Sequence, residues 1–229
     1  MTITPLSQQN VQKSLTSNCH VSLLSLPAND RRQQQLGCHM DQLLDYLMTR
    51  RTVPAAHLAG AELSPDEITT LLKIASRVPD HGKLAPWRFI VYPKAAGDVI
   101  GDFLARRWRD RDSGTSQERL AQEQERFLRG GTIIGVVNCA KDHPKIPVWE
   151  QELAVGAVCM NLIHGAYALG YRAQWLTEWY AEDAPAARFL GCREGERFAG
   201  FIYIGTTDEP PVERPRPDVD AITSFWGTD

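Results

Sequence analysis

The sequence contains no apolar run that approaches the ~18 uninterrupted residues of a membrane-spanning helix. It has no basic surplus either, because 25 lysines and arginines stand against 28 aspartates and glutamates, whereas nucleic-acid binders are usually basic. Its five cysteines include no Cys-x-x-Cys pair, which argues against a zinc ribbon, a thioredoxin-type pair or a small disulfide scaffold. The first residues lack the basic and apolar pattern of a secretory signal. We therefore expect a soluble chain in the reducing cytoplasm.

Motifs of hydrolytic, nucleotide-binding and metal chemistry are also missing. The sequence has no Gly-x-Ser-x-Gly elbow, no Gly-x-Gly-x-x-Gly loop, no P-loop and no His-Glu-x-x-His. The six histidines show no zinc-ligand spacing, and His164 in a long apolar segment is predicted to be an interior residue. Cys139 and Cys159 lie in apolar runs, which predicts small buried side chains. No hydrolase or metalloenzyme constellation is visible.

Composition divides the chain into an extension and a folded domain. Residues 1–39 are rich in Gln, Ser, Asn and Thr, and we expect them to be poorly ordered and dispensable. At Met40 an amphipathic pattern begins, and no clean linker interrupts residues 40–229. Four prolines within 209–218 predict an extended C-terminal arm at about 207–229. A hydrophobic content of 43% is enough for a real core.

Periodicity predicts the elements of this domain. Ser64, Pro65 and Glu67 form a capping box that begins a helix. The charged segment 95–129 predicts two helices that are broken at 113–114. Further helices are expected at 40–48, 64–78, 149–169 and 183–191, and strands at 89–92, 132–140, 172–176 and 197–205, of which 132–140 is apolar enough to be covered on both faces. The pattern predicts an α+β fold.

Three local clusters contain side chains suited to a planar, anionic ligand. The first is Arg50-Arg51-Thr52, in which two guanidinium groups could bind a phosphate bidentately. The second, 77–81, presents an arginine and a histidine on a proline-stiffened loop, and the third is 174–177, around Trp175. Each also has a structural explanation: a helix end complemented by cations, a surface turn and a core tryptophan. The residues alone leave these alternatives open.

Taken in order, the clusters resemble the FMN-dependent nitroreductases, most closely their small, compact members. The resemblance includes Pro86-Trp87-Arg88-Phe89, Trp149-Glu150-Gln151-Glu152 and Gly200-Phe201-Ile202-Tyr203-Ile204-Gly205, and it covers about residues 40–206. Each motif is weak alone, whereas the ordered set is specific. The resemblance implies a nitroreductase-like α+β fold, in which helices flank a central mixed or antiparallel sheet, and an interlocked homodimer.

The resemblance also implies a cofactor, FMN, bound at two subunit interfaces, with NADH or NADPH as co-substrate. The residues of one chain that would bind FMN are Arg50, Arg51, Thr52, Trp175, Leu176 and Thr177. Arg77 and His81 would reach in from the other chain. The segment that corresponds to a nicotinamide-nucleotide site comprises Gly165, Ala166, Tyr167, Ala168, Leu169 and Gly170. No side chain is implied to be catalytic, because flavin N5 carries the chemistry.

Several positions depart from the family pattern or have two explanations. Thr52 stands where serine is usual, which keeps the hydroxyl group, and Leu176 replaces a polar or basic residue, so any contact there must come from its backbone. Arg214 and Arg216 resemble a basic pair that binds the FMN phosphate in larger members, but they suit a solvated arm equally well. The small residues of 149–169 would let a partner subunit approach closely, with packing inside the same chain as the alternative.

The implied function is two-electron transfer from NAD(P)H to an electron-poor acceptor, such as a nitroaromatic, a quinone or an enone, by a ping-pong mechanism. One alternative is a specialised flavin reaction on the same fold: dehalogenation, dehydrogenation or semialdehyde reduction. Another is a protein that stores or senses FMN without turnover. Steady NAD(P)H oxidation in the presence of an acceptor separates a reductase from a protein that only binds FMN.

Overall fold

A computed structural model describes residues 40–60, 62–209 and 211–227, which fall into two units divided between Arg51 and Thr52. Within the first unit, residues 40–49 form helix α1, as the periodicity predicts. Exposed apolar side chains of α1 are Met40, Leu43, Leu44, Leu47 and Met48. The extension expected at 1–39 lies outside the described residues.

The second unit contains a four-stranded sheet in which every pair of neighbours is antiparallel. Its strands are β1 (Trp87–Tyr92), β2 (Thr132–Asn138), β3 (Arg172–Leu176) and β4 (Arg197–Gly205). The order across the sheet is β1-β2-β4-β3, so β2 and β4 are central while β1 and β3 form the edges. All residues of β2 are buried, which confirms the prediction of a strand covered on both faces.

Helices cover both faces of the sheet and create two hydrophobic clusters. Phe201 and Tyr203 of β4 belong to one cluster, and Ile202 and Ile204 belong to the other. This alternation confirms the two faces predicted from the sequence, because successive side chains of a strand point to opposite sides. The helices are α2 (Pro65–Ala75), α3 (Gly97–Arg111), α4 (Gln117–Gln124), α5 (Val148–Ala168), α6 (Trp179–Glu182) and α7 (Ala184–Phe189). An antiparallel sheet with helices on both faces confirms the predicted α+β class.

Local sequence signals account for the helix bounds near the site. The Ser64 side chain accepts a hydrogen bond from the Glu67 amide, and the Glu67 carboxylate accepts one from the Ser64 amide, which confirms the capping box. Helices α3 and α4 are separate, as the predicted break at 113–114 requires. The short helix α6 was not expected from the sequence. Cys159 is buried as predicted, whereas Cys139 is only partly buried.

The small residues of α5 serve packing within the chain at one end of the helix. A Cβ atom at Gly165 would lie 2.9 Å from Cδ2 of Leu71, so α2 can approach α5 only because residue 165 is glycine. Ala166 is fully buried in the same cluster. The alternative of packing inside the chain is therefore correct for this end of α5. Gly156, nearer the start of the helix, is different, because a Cβ atom there would meet nothing within 4 Å.

The C-terminal arm carries little regular structure in its described part. Residues 211–218 form neither helix nor strand, and a single 3-10 turn follows at Asp220–Ile222. Arg216 pairs with Glu213 at 2.9 Å, which places this arginine in an ion pair within the arm itself. Trp226 and Phe225 are strongly exposed. The prolines explain the irregular backbone, since proline cannot donate the hydrogen bonds of a central strand.

Candidate functional site

The end of edge strand β3 presents an indole that is fixed from the neighbouring strand. Gly200 of β4 pairs with Val136 and Phe198 pairs with Val137, so a bulge leaves Ala199 without a partner in the ladder. The Ala199 carbonyl accepts a hydrogen bond of 3.0 Å from Nε1 of Trp175. A Cβ atom at Gly200 would lie 2.2 Å from that nitrogen, so the glycine provides the space for the ring.

A groove of 680 Å³ opens beside Trp175 and Thr177, where β3 ends. It is partly open to solvent, and small or apolar residues from α5, α6, α7 and β4 line most of it. These residues are Val155, Gly156, Ala181, Ala184, Ala187, Phe198 and Ala199. Its polar lining consists of Asn138, Glu152, Glu182, Glu196 and Arg197. The volume falls within the range of clefts that hold cofactors and other small molecules.

Charge at one side of the groove is balanced by tight ion pairs. Glu196 is bound by Arg88, with 2.9 Å between Nε and Oε1 and a second contact through Nη2. Hydrogen bonding to Arg88 lowers the pKa of Glu196 to about 2, although burial of the carboxylate would by itself raise that pKa. Arg197 pairs with Glu152 at 2.5 Å on the more exposed rim. Two of the carboxylates that line the groove, those of Glu196 and Glu152, are therefore held in ion pairs beside an apolar floor.

The segment that follows Thr52 is attached directly to β3. The Ala55 amide donates to Oε1 of Gln174 at 2.5 Å, and Gln174 immediately precedes Trp175. Val53 and Ala55 are buried in the core cluster, so this segment is held from both sides. Thr52, which begins the second unit and is partly buried, thus lies three residues along the chain from the contact with β3. Within the second unit, the structure therefore links the segment that begins at Thr52 to the third sequence cluster through Ala55 and Gln174.

The arginine pair, Arg50 and Arg51, follows the last turn of α1 in the first unit. The Arg50 amide donates to the Tyr46 carbonyl at 2.8 Å, which continues the helical hydrogen-bond pattern. Both arginines are partly buried. Their position at a helix C-terminus agrees with the helix-end explanation and leaves the proposed role toward a phosphate untested.

The loop that carries His81 is held by Asp80, whose carboxylate accepts the amides of Leu84 and Ala85 at 3.2 and 2.8 Å. His81 is exposed, and its Nδ1 lies 3.2 Å from the carboxylate of Glu150 in α5. Arg77 is also exposed, just beyond the end of α2. Neither Arg77 nor His81 is among the residues that line the groove in the same chain. His81 is therefore exposed on a loop that Asp80 stiffens, and Arg77 is exposed between the end of α2 and that loop.

The segment suggested for the nicotinamide nucleotide is only partly accessible. Gly165 and Ala166 are buried against α2, while Tyr167, Ala168 and Gly170 are exposed and Leu169 is partly buried. The guanidinium of Arg172 lies over the Tyr167 ring at 4.8 Å from its centre. Any ligand at this segment would therefore contact its exposed members.

A charged network behind the groove was missed from the sequence. Arg126 bonds to both oxygens of Glu123 at 3.0 Å, and its third contact is the carboxylate of Glu178, at 2.5 Å. Burial alone would lower the pKa of Arg126, but its bonds and charge interactions with Glu123 and Glu178 raise it above the ordinary value. The i,i+3 spacing of Glu123 and Arg126 was a visible signal. The third member is 52 residues away and could not be paired from the sequence.

Within the described ranges 40–60, 62–209 and 211–227, no helix combines the length and apolar character needed to cross a membrane. In the same ranges, no group of three or more His, Cys, Asp or Glu side chains is arranged to hold a metal ion.

Comparison with known proteins identifies the family. The model of the Nitroreductase family matches residues 47–206. A Haemophilus influenzae protein named for NAD(P)H nitroreductase activity is 31% identical over 166 residues, covering 71% of this chain and 87% of its own. YdjA of Escherichia coli strain K12, named for the same activity, is 28% identical over 163 residues with the same coverage. A crystal structure of a nitroreductase with bound FMN from Bacteroides fragilis shares the fold, with a TM-score of 0.55, 17% identity and coverage of 82% of this chain and 97% of that one. The chain belongs to the nitroreductase family.

Proposed function

We propose that the protein is an FMN-dependent oxidoreductase that transfers two electrons from NADH or NADPH to an electron-poor acceptor. Membership of the family supports the class of reaction, and the names of the relatives support both nucleotide and cofactor. The acceptor is a nitroaromatic, a quinone or an enone. The two substrates use one site in turn, in a ping-pong sequence.

The groove at the end of β3 is suited to a flat, mostly apolar ring system with one polar edge. Small residues line its floor, and Gly156 leaves open space where any other side chain would intrude. Trp175 and Thr177 lie at its edge, and β3 is an edge strand, so one side of its backbone is outside the ladder and can bind ring carbonyl and imide groups. The shape and the donor set fit the isoalloxazine of FMN.

The residues of this chain would hold the cofactor in three ways. The arginine pair and the Thr52 hydroxyl supply charge and hydrogen bonds for the phosphate and for the polar edge of the ring. Trp175 and Thr177 contribute side chains beside the ring, while Leu176, which is packed against the core, contributes its backbone only. A cation near the edge where negative charge develops would stabilise the reduced state.

When bound, FMN supplies the two-electron chemistry itself, accepting a hydride equivalent from the nicotinamide nucleotide and passing the electrons to the acceptor. The protein therefore needs to orient the ring and the two substrates rather than provide an acid–base pair. Tyr167, Ala168 and Gly170 are the members of the 165–170 segment that remain open to the nucleotide.

The active form that we propose is a homodimer in which Arg77 and His81 reach the FMN bound to the partner. Both side chains are exposed, as a residue presented to another chain must be, and Asp80 stiffens the loop that carries His81. Large apolar side chains are also exposed on α5, where Trp149 and Leu153 are 61% and 64% accessible one turn apart. Exposed apolar faces of this kind favour association.

The groove beside Trp175 and Thr177 is the observation that carries this proposal. The test is to purify the full chain, measure flavin per chain and the dissociation constant for added FMN, and follow NADH and NADPH oxidation with a quinone and with a nitroaromatic. We expect one FMN per chain and steady nucleotide oxidation that depends on the acceptor. A chain that stays colourless and does not take up FMN would contradict the proposal, while bound FMN without any turnover would favour the storage or sensing alternative.

A further inference from the structure

The backbone of Glu178 has a conformation that side chains other than glycine rarely adopt. Its φ is 56° and its ψ is 161°, close to a region populated almost only by glycine. The residue follows Thr177 directly, at the point where the chain leaves β3 and begins α6. Such a conformation persists only where the surrounding structure holds it in place.

Two side chains anchor this turn to the same buried pair. The Glu178 carboxylate bonds to Arg126, whose side chain is only 7% exposed. The next residue, Trp179, donates from Nε1 to the carboxylate of Glu123 at 2.8 Å, and Glu123 is fully buried. Arg126 and Glu123 are themselves joined by two hydrogen bonds. Consecutive residues are therefore attached to a rigid charged pair contributed by a different part of the chain.

Breaking the bond between Glu178 and Arg126 would deprive a buried guanidinium of one of its two carboxylate partners, whereas Glu123 would keep its ion pairs with Arg126 and Arg119. Loss of a partner from a buried charge is much less favourable than the breaking of an exposed pair. The network therefore resists relaxation of residue 178 toward the ordinary extended region. Relaxation would rotate the peptide between Thr177 and Glu178 and redirect the backbone where it lines the groove. The strained conformation and the orientation of Thr177 are thus maintained by one set of contacts.

We propose that Glu178, anchored by Arg126, is a positioning residue for FMN, because it fixes the backbone of Thr177, which follows the paired part of β3 and lines the groove. This inference rests on the proposed function. Glu178 acts through the direction of the backbone, and its carboxylate faces the buried pair. Helix α4 and the turn that follows it are in this way connected to the cofactor site.

Three variants separate backbone positioning from other roles of the carboxylate. Glu178→Ala removes the bond to Arg126, which is the anchor on residue 178 itself, and keeps the Cβ atom. Residue 178 should then relax, and FMN affinity should fall at least tenfold, which corresponds to about 1.4 kcal/mol. Glu178→Gly removes the same anchor, but glycine adopts the native φ and ψ without strain, so its FMN affinity should stay within about threefold of wild type. Glu178→Gln keeps an acceptor for Arg126 and should also stay within about threefold.

The readouts are the FMN dissociation constant, the visible absorption spectrum of bound FMN, and urea unfolding of each apoprotein. We expect weak binding and a shifted spectrum for Glu178→Ala alone. Equal affinity in the alanine and glycine variants would overturn the inference. If both variants bind FMN as wild type does, the backbone conformation of residue 178 is irrelevant to binding. If both bind weakly, the carboxylate itself contacts FMN. Those results leave the proposed function standing, since they require wild type to bind FMN. A wild-type chain that binds no FMN refutes both.

Discussion

Replacement of Gly200 by alanine should destabilise the apoprotein and weaken its affinity for FMN together. The new Cβ atom would lie 2.2 Å from Nε1 of Trp175 and 2.8 Å from the carbonyl oxygen of Leu176. The indole can move outward, because Trp175 is 38% exposed, but the Leu176 carbonyl belongs to a paired strand and cannot. The variant must therefore both lose the bond from Trp175 to Ala199 and shift the β3 backbone.

The size of this effect follows from two contributions. Loss of the indole–carbonyl hydrogen bond costs about 1 kcal/mol, and insertion of a methyl group into a filled space costs about 1–3 kcal/mol. Backbone strain adds to both contributions, because the φ of Gly200 is 153°, a value that residues other than glycine rarely adopt. We expect the free energy of unfolding in urea to fall by at least about 2–4 kcal/mol, with an unchanged slope against denaturant. FMN affinity should fall as well, because the indole that borders the groove is displaced.

Gly114→Ala is the matched control for this substitution. Gly114 lies between α3 and α4. A Cβ atom added there would lie 3.5 Å from Oδ1 of Asp112, an ordinary van der Waals distance. This variant should be as stable as wild type or more stable by up to about 1 kcal/mol, since alanine restricts the unfolded chain. If Gly200→Ala unfolds at the same urea concentration as Gly114→Ala, the packing described for the end of β3 is wrong.

Three further predictions concern the groove, its charges and the sharing of the site. Gly156→Leu should weaken FMN binding at least tenfold, because the new side chain would extend into the groove. Apoprotein stability should not fall, because a Cβ atom at residue 156 meets nothing within 4 Å. Unchanged affinity would place FMN elsewhere. Pairing with Arg88 lowers the pKa of Glu196 from 4.5 to about 2, so the stability that this pair contributes is present above pH 4.5 and is lost as the pH falls toward 2. In Glu196→Gln, the free energy of unfolding should therefore depend less on pH between 4.5 and 2. The same pH dependence in the variant and in wild type would contradict the pairing. Mixing a variant that lacks the arginine pair with a variant altered at Arg77 and His81 should restore FMN binding in heterodimers, because one of the two sites is then whole; confirmed heterodimers without recovery would exclude a shared site.

Much of the fold was accessible from local patterns in the sequence. The capping box at Ser64, the alternation along β4 and the break between α3 and α4 each depend on residues close together in the chain. Family resemblance then supplied the candidate site residues. Within the second unit, the structure links the segment after Thr52 to the third cluster through the contact between Ala55 and Gln174.

The features that shape the groove depend on contacts between distant segments. The bulge at Ala199 arises where β2 pairs with β4, and the indole above Gly200 comes from β3 on the other side of β4. The pattern of a single strand does not encode either pairing. The Glu178 carboxylate bonds to Arg126, 52 residues earlier. Helix α6 is only four residues long and is attached to that same network, so its own periodicity gives too little signal.

The central claim is that this chain holds FMN and passes electrons through it in two separable half-reactions. The direct measurement is anaerobic stopped-flow absorbance of the FMN-loaded protein, mixed first with NADH or NADPH and then, after removal of the nucleotide, with a quinone or a nitroaromatic. We expect the nucleotide to bleach the flavin and the acceptor alone to restore its colour, both at least as fast as steady-state turnover. Flavin that neither nucleotide reduces, or a reduced protein that no such acceptor reoxidises, would contradict it.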